Sequence, residues 1–149
     1  MPDIKDRDSM RLTKKGDYAL RAVIQVALAE GNSCSINQIA AAGHIPRNFA
    51  AKILKQLRDA GLLRSFPGKS GGYRLARPQA EISFREIIEA VEGPIVINRC
   101  LDKTSGCNRT SFCRMYDAWK ETQDKMLKLL DDIKIAGIIG NDKILEISS

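Results

Sequence analysis

Three of the chain's four cysteines, Cys100, Cys107 and Cys113, fall inside RCLDKTSGCNRTSFCRMY at 99–116, with six and five residues between them. The stretch is mostly small, polar and charged, so these thiols are not there to fill a core. Thiolates bind soft and borderline metals, exchange with disulfides and are oxidised. Structural zinc ligands usually come as CxxC knuckles, and none is present. Plant-type ferredoxin spacing and a fourth nearby cysteine are also absent. Four readings stay open on spacing alone. They are a wide loop around an iron–sulfur cluster with its fourth ligand from elsewhere, a zinc site, redox-active thiols, or incidental cysteines. Arg99, Lys103, Arg109 and Arg114 lie close by and would favour the thiolate form while offsetting its charge.

The elements that would carry such a loop are those of an ordinary globular chain. At 149 residues it can bury a core without help from disulfides or metal. No apolar run approaches the ~18 residues of a membrane span, and the N-terminal MPDIKDRDS has no apolar signal core. The expectation is a cytoplasmic protein without a membrane partner, where clustered cysteines more often mean metal or redox chemistry. The net charge of +6 is uneven: residues 1–80 carry +8 and residues 81–149 carry −2. A basic N-terminal half suits a polyanion partner, although a solvated basic surface would look the same.

Helical spacing of Tyr18, Leu20, Ala22, Val23, Val26 and Ala27 predicts a helix from Lys14 to Glu30, stopped by Gly31-Asn32. Ser35 and Gln38 form a capping box that opens a short helix, which Gly43 closes. Pro46 suits the first turn of the next helix, PRNFAAKILKQLRDAG, ended by Gly61. Two short helices joined by a tight turn make a helix-turn-helix. In the second of them, Phe49, Ile53, Leu54 and Leu57 are expected on the core face. Arg47, Asn48, Ala51, Lys52 and Lys55 are left for the major groove, with Arg47 suited to guanine and Asn48 to adenine. LLRSFPGKSGGYRLARP then predicts a basic β-hairpin, a wing whose Lys69, Ser70, Tyr73, Arg74 and Arg77 are candidate DNA contacts. The Gly-Lys-Ser of that tip is not a P-loop, because the first glycine of that motif is Leu63 here. The expected fold is therefore mostly α with a small β wing, a winged helix-turn-helix domain.

Ser83 and Glu86 open a further helix, FREIIEAVEG, closed by Gly93-Pro94. After the cysteines, apolar residues from Met115 to Ile133 predict a helix from Arg114 to about Ile135, about 33 Å long. A small globule cannot cover that length, so the helix calls for a partner, and a second copy would bring two readers to two half-sites. The interspersed acids Asp117, Glu121, Asp124, Asp131 and Asp132 argue against a membrane surface.

Taken together, these motifs resemble the winged-helix repressors that regulate iron–sulfur assembly and nitric-oxide or redox stress in bacteria, the IscR and NsrR type. The resemblance runs from Met10 to about Ile138. It is carried by MRLTKKGDYALRA, IAAAGHIPRNFAAKILKQLRDAGLL, GKSGGYRLARP, ISFREIIEAVEG before the three cysteines, and the long helix after them. It implies that Cys100, Cys107 and Cys113 ligate an iron–sulfur cluster. IscR-like members add a histidine three residues after the last cysteine, but Tyr116 stands there. NsrR-like members use an aspartate of the first helix, which matches Asp17 and favours a 4Fe-4S cluster, with 2Fe-2S open. As an alternative, Asp17 is simply a first-turn acid that complements the helix dipole. Pro67 stands where many relatives carry an arginine, so a minor-groove contact passes to Lys69 or Arg64. His44, the lone histidine, is expected as a turn or phosphate-contact residue, and Cys34 as a small loop residue.

The organisation implied is an extension over 1–9, the DNA-binding domain over 10–80 and a connecting helix over 81–98. A cluster-binding loop over 99–113, a dimerisation helix over 114–138 and a tail over 139–149 follow. The function implied is a homodimeric, sequence-specific regulator of a double-stranded DNA operator, controlled by the cluster. The alternative is a regulator of the same family without a cluster, switched by cysteine oxidation or a partner protein. No nucleophile–base pair or substrate motif supports an enzyme.

Overall fold

The computed structural model describes residues 12–102 and 114–140. Helix α1 (Lys14–Leu28) begins where the Thr13 hydroxyl accepts from the Gly16 amide. The chain turns at Glu30 and Gly31, both at positive φ. Helix α2 (Ile36–Gly43) has the expected capping box in full, since Gln38 donates to the Ser35 hydroxyl and the Ser35 amide to the Gln38 side chain. The residue that ends α2 is not Gly43, which stays helical, but His44, in the left-handed region at φ 53°. Helix α3 (Arg47–Asp59) follows, with Pro46 as its N-cap.

Strands β1 (Leu63–Phe66) and β2 (Gly72–Leu75) pair antiparallel, Leu63 opposite Leu75 and Phe66 opposite Gly72. A backbone bridge from Cys34 to Tyr73 adds a third edge to the hairpin and ties the wing to the start of α2. Gly72 is required there: at φ +144° it lies so close to Cys34 that a Cβ would strike the Cys34 carbonyl oxygen.

Helix α4 (Phe84–Glu92) opens on the second expected capping box, Ser83 with Glu86. It is more than a connection. Ile87 and Val91 belong to the same buried cluster as Val23 and Val26 of α1 and Ile53 and Leu57 of α3. Helix α5 (Tyr116–Asp132) is shorter than the periodicity suggests, 17 residues or about 26 Å. The apolar pattern continues through Ile133 and Ile135, but the backbone does not stay helical. Phe84 donates to the Ile133 carbonyl and Ile135 to that of Ile82, each at 3.0 Å, which pulls the chain into an extended bridge beside Ser83. Ile135, wholly buried, then starts the short α6 (Ile135–Ile139) and closes the core of the N-terminal helices. No described helix is long and apolar enough to cross a membrane.

Candidate functional site

The outer face of α3 is set by its inner one. Ala50, Ile53, Leu54 and Leu57 repeat at i, i+3, i+4 and i+7 and are fully buried. That stripe turns Arg47, Asn48, Lys52 and Lys55 outward, all exposed. Phe49, expected in the core, is 41% exposed, because Ala50 holds the inward position. Its ring instead leans on Tyr18 of α1, centroids 5.7 Å apart. An exposed helix face without acids, two of its residues lysines, fits a major groove.

The wing stands beside α3. Arg64, Lys69, Ser70 and Arg74 are exposed on it. Arg74 donates to the Ser33 hydroxyl at 2.9 Å and stacks over the Phe66 ring at 4.7 Å, so its guanidinium is held in place before any ligand arrives. Tyr73 does not join this set. Strand alternation sends its side chain into the core, where it is 9% exposed, and only its backbone serves the wing, through the Cys34 bridge. Arg77 is also drawn away, paired with Glu86 of α4 at 2.9 Å.

Asp17 lies in the first turn of α1 and pairs with Arg21 one turn on, at 2.7 Å, both side chains 45% exposed. Arg21 also donates to the Gly43 carbonyl at 3.5 Å and lies over the Tyr18 ring. Asp17 is thereby connected, through one guanidinium, to the C-terminal end of α2 and the helix-turn-helix turn. The composition pattern gave no sign of that link; only the i, i+4 spacing of an acid and an arginine hinted at it.

Cys100 sits half-buried in a 3-10 turn, Arg99–Leu101, and is not in a disulfide. The segment leading to it is tied down on both sides: the Ile95 amide donates to Glu89 of α4 at 3.4 Å, and the Ile97 amide to Gln123 of α5 at 2.9 Å. Cys107 and Cys113 lie outside the described residues. Among the described residues, no three His, Cys, Asp or Glu side chains gather as a metal site. The fourth cysteine, Cys34, is a different kind of thiol. Burial at the wing bridge pushes its pKa up, which favours the protonated, unreactive form.

Asp131 of α5 completes the polar framework. It accepts from Arg85 at 2.9 Å, the hydrogen bond that above all holds the Arg85 pKa up, and from the Ser83 hydroxyl at 3.5 Å. Ser83 is 1% exposed, so the capping box of α4 is also where α5 is fastened.

Comparison with known proteins places this geometry. The family model Rrf2, described as an iron-dependent transcriptional regulator, matches residues 12–141. The HTH-type transcriptional regulator IscR of Cronobacter sakazakii is 31% identical over 140 residues, covering 93% of this chain and 86% of that protein. Among solved structures, CymR, the global cysteine regulator of B. subtilis, superposes with a TM-score of 0.71 at 25% identity, over 89% of this chain and 98% of that one. The IscR of T. potens does so with a TM-score of 0.70 at 25% identity, over 89% and 88%.

Proposed function

The chain belongs to the Rrf2 family of transcriptional regulators, and from that premise we propose that it binds a double-stranded DNA operator as a homodimer under control of an iron–sulfur cluster. The observation that carries the DNA half is the pairing of the exposed α3 face, Arg47, Asn48, Lys52 and Lys55, with the basic wing at Lys69, Ser70 and Arg74. Asn48 and Lys52 reach base edges, and Lys55, Lys69 and Arg74 neutralise phosphates. Two copies meet through α5, none of whose residues is buried and which leaves Leu129 66% exposed.

Cys100, Cys107 and Cys113 supply three thiolates to the cluster, and Asp17 the fourth, harder ligand. The donor set suits the group: the Cys100 thiol is not in a disulfide, and soft thiolates with one exchangeable carboxylate describe a labile site. When bound, the cluster supplies a centre whose charge and thiolate bonds change with iron supply, oxidants or nitric oxide. The chain's own part is the coupling. Asp17 either neutralises Arg21 or is engaged elsewhere, and Arg21 in turn holds the Gly43 carbonyl at the turn before α3. The Cys100 segment is tied to α4 and α5, so its rearrangement also reaches the dimer helix.

A second reading is favoured by the likeness to CymR, a global cysteine regulator. In that reading the DNA-binding unit of this chain is governed by bare thiols or by a partner protein.

One preparation separates the two. Anaerobically purified protein should be brown, with iron and sulfide near stoichiometric amounts, and Cys107→Ala should lose the colour while keeping its helical circular dichroism. Iron per monomer near four supports the 4Fe-4S form and near two the 2Fe-2S form. A colourless protein after reconstitution, whose DNA affinity responds to thiol oxidants, would replace the cluster with the thiol switch.

A further inference from the structure

Arg47 is the first residue of α3, where a side chain can point ahead to the bases or sideways to the flanking strand. Its Nε donates to the Asn37 side-chain oxygen at 2.6 Å, a bond between the first turns of α3 and α2. That bond draws the guanidinium off the α3 face and into a cleft of about 370 Å³ between α2 and the wing, lined by Ser35, Asn37, Ser65, Phe66 and Gly68 among others. A duplex with α3 in its major groove and the wing at the adjoining minor groove is crossed by one sugar–phosphate backbone between them, and the cleft lies on that line. A guanidinium tied through Nε still presents its two terminal nitrogens as a fork, which matches a phosphate bidentately.

We infer that Arg47 is a phosphate clamp held by Asn37, not the guanine reader its place in the sequence suggests. Base reading is thereby left to Asn48 and Lys52. Asn37 is a positioning residue: it touches no DNA and fixes the arginine that does. This assignment rests on the operator-binding reading given above.

The test uses full-length protein and two duplex probes, one selected by the wild type from a randomised library and one scrambled. Affinities are measured from 50 to 200 mM KCl. Arg47→Ala should weaken binding to both probes by the same factor and make the salt slope shallower by about 0.9 per protomer. Arg47→Lys should keep the slope, and Asn37→Ala should keep it while weakening both probes equally and less than Arg47→Ala. Overturning the assignment would take Arg47→Ala binding the scrambled probe as well as the wild type does, while losing its preference at one base pair of the selected site. That is the signature of a base reader. A wild type that selects no sequence and binds neither probe overturns the operator reading itself, and this assignment with it.

Discussion

Helix α3 of the helix-turn-helix half and helix α5 carry similar numbers of apolar residues, six and seven, and finish differently. In α3, four of 13 residues are buried, and the helix is sealed by α1, α4 and even Ile135 from the far end of the chain. In α5, none of 17 is buried, although Trp119, Met126 and Leu130 recur on one side. The first region is complete within one chain. The second is left unsealed. The proposed homodimer would gain from this division, with each DNA-binding unit sealed within its own chain and the contact that spaces the two units left to association.

The largest effect should come from breaking the sealed side. Leu57→Ala removes a fully buried side chain and should cost about 2–5 kcal/mol, seen as a lower denaturant midpoint at unchanged dimer mass. Leu129→Asp is the matching change on the open side. It should leave the monomer's unfolding midpoint unchanged and shift the light-scattering mass toward the monomer, at a cost of about 2 kcal/mol per protomer. A dimer of unaltered affinity after that change would mean that α5 is not the joining surface. A smaller effect belongs to the fastening between the two regions. The Arg85–Asp131 pair is 34% and 42% exposed, so a double-mutant cycle with Arg85→Met and Asp131→Asn should return about 0.5–1 kcal/mol.

The same contrast governs what the sequence made legible. Local rules act within a few residues, and apart from Gly43 they held: both capping boxes, the positive-φ glycines Gly31, Gly61 and Gly93, and the exposed lysines of α3 fall where spacing places them. Tertiary choices did not announce themselves. Phe49 and Ala50 are equally good candidates for the inward position until α1 is in place, and the larger apolar residue proved to be the exposed one. Tyr73 looked polar enough for DNA, yet strand alternation buries it. Ile135 continued a helical pattern, but pairing with Ile82, over fifty residues earlier, outweighed local propensity. Asn37 resembles any polar residue of a capped first turn, and its bond to Arg47 exists only once the turn at His44 sets α2 against α3.

That turn gives the smallest effect and the finest test of the sealed half. His44 adopts φ 53° and ψ 48°, a left-handed conformation that costs an L-residue about 1 kcal/mol and glycine almost nothing. His44→Gly relieves that strain but frees the unfolded chain, an opposing term of about 0.4–1 kcal/mol. Histidine enters this region more readily than most residues, so the relief is at its lower end. The net change should be no more than about 0.5 kcal/mol in either direction, read from paired denaturant curves. Gly43 beside it is the wrong place to look for the same freedom, since it is helical and its missing Cβ leaves room for the Ile45 side chain at 3.1 Å. Gly43→Ala should therefore set a gain in helix propensity of about 0.5–1 kcal/mol against crowding at Ile45, and change stability as little as His44→Gly does. Losses of about 1 kcal/mol on both substitutions would mean that the left-handed residue is Gly43 and not His44, and that the turn which aims α3 is built one residue earlier.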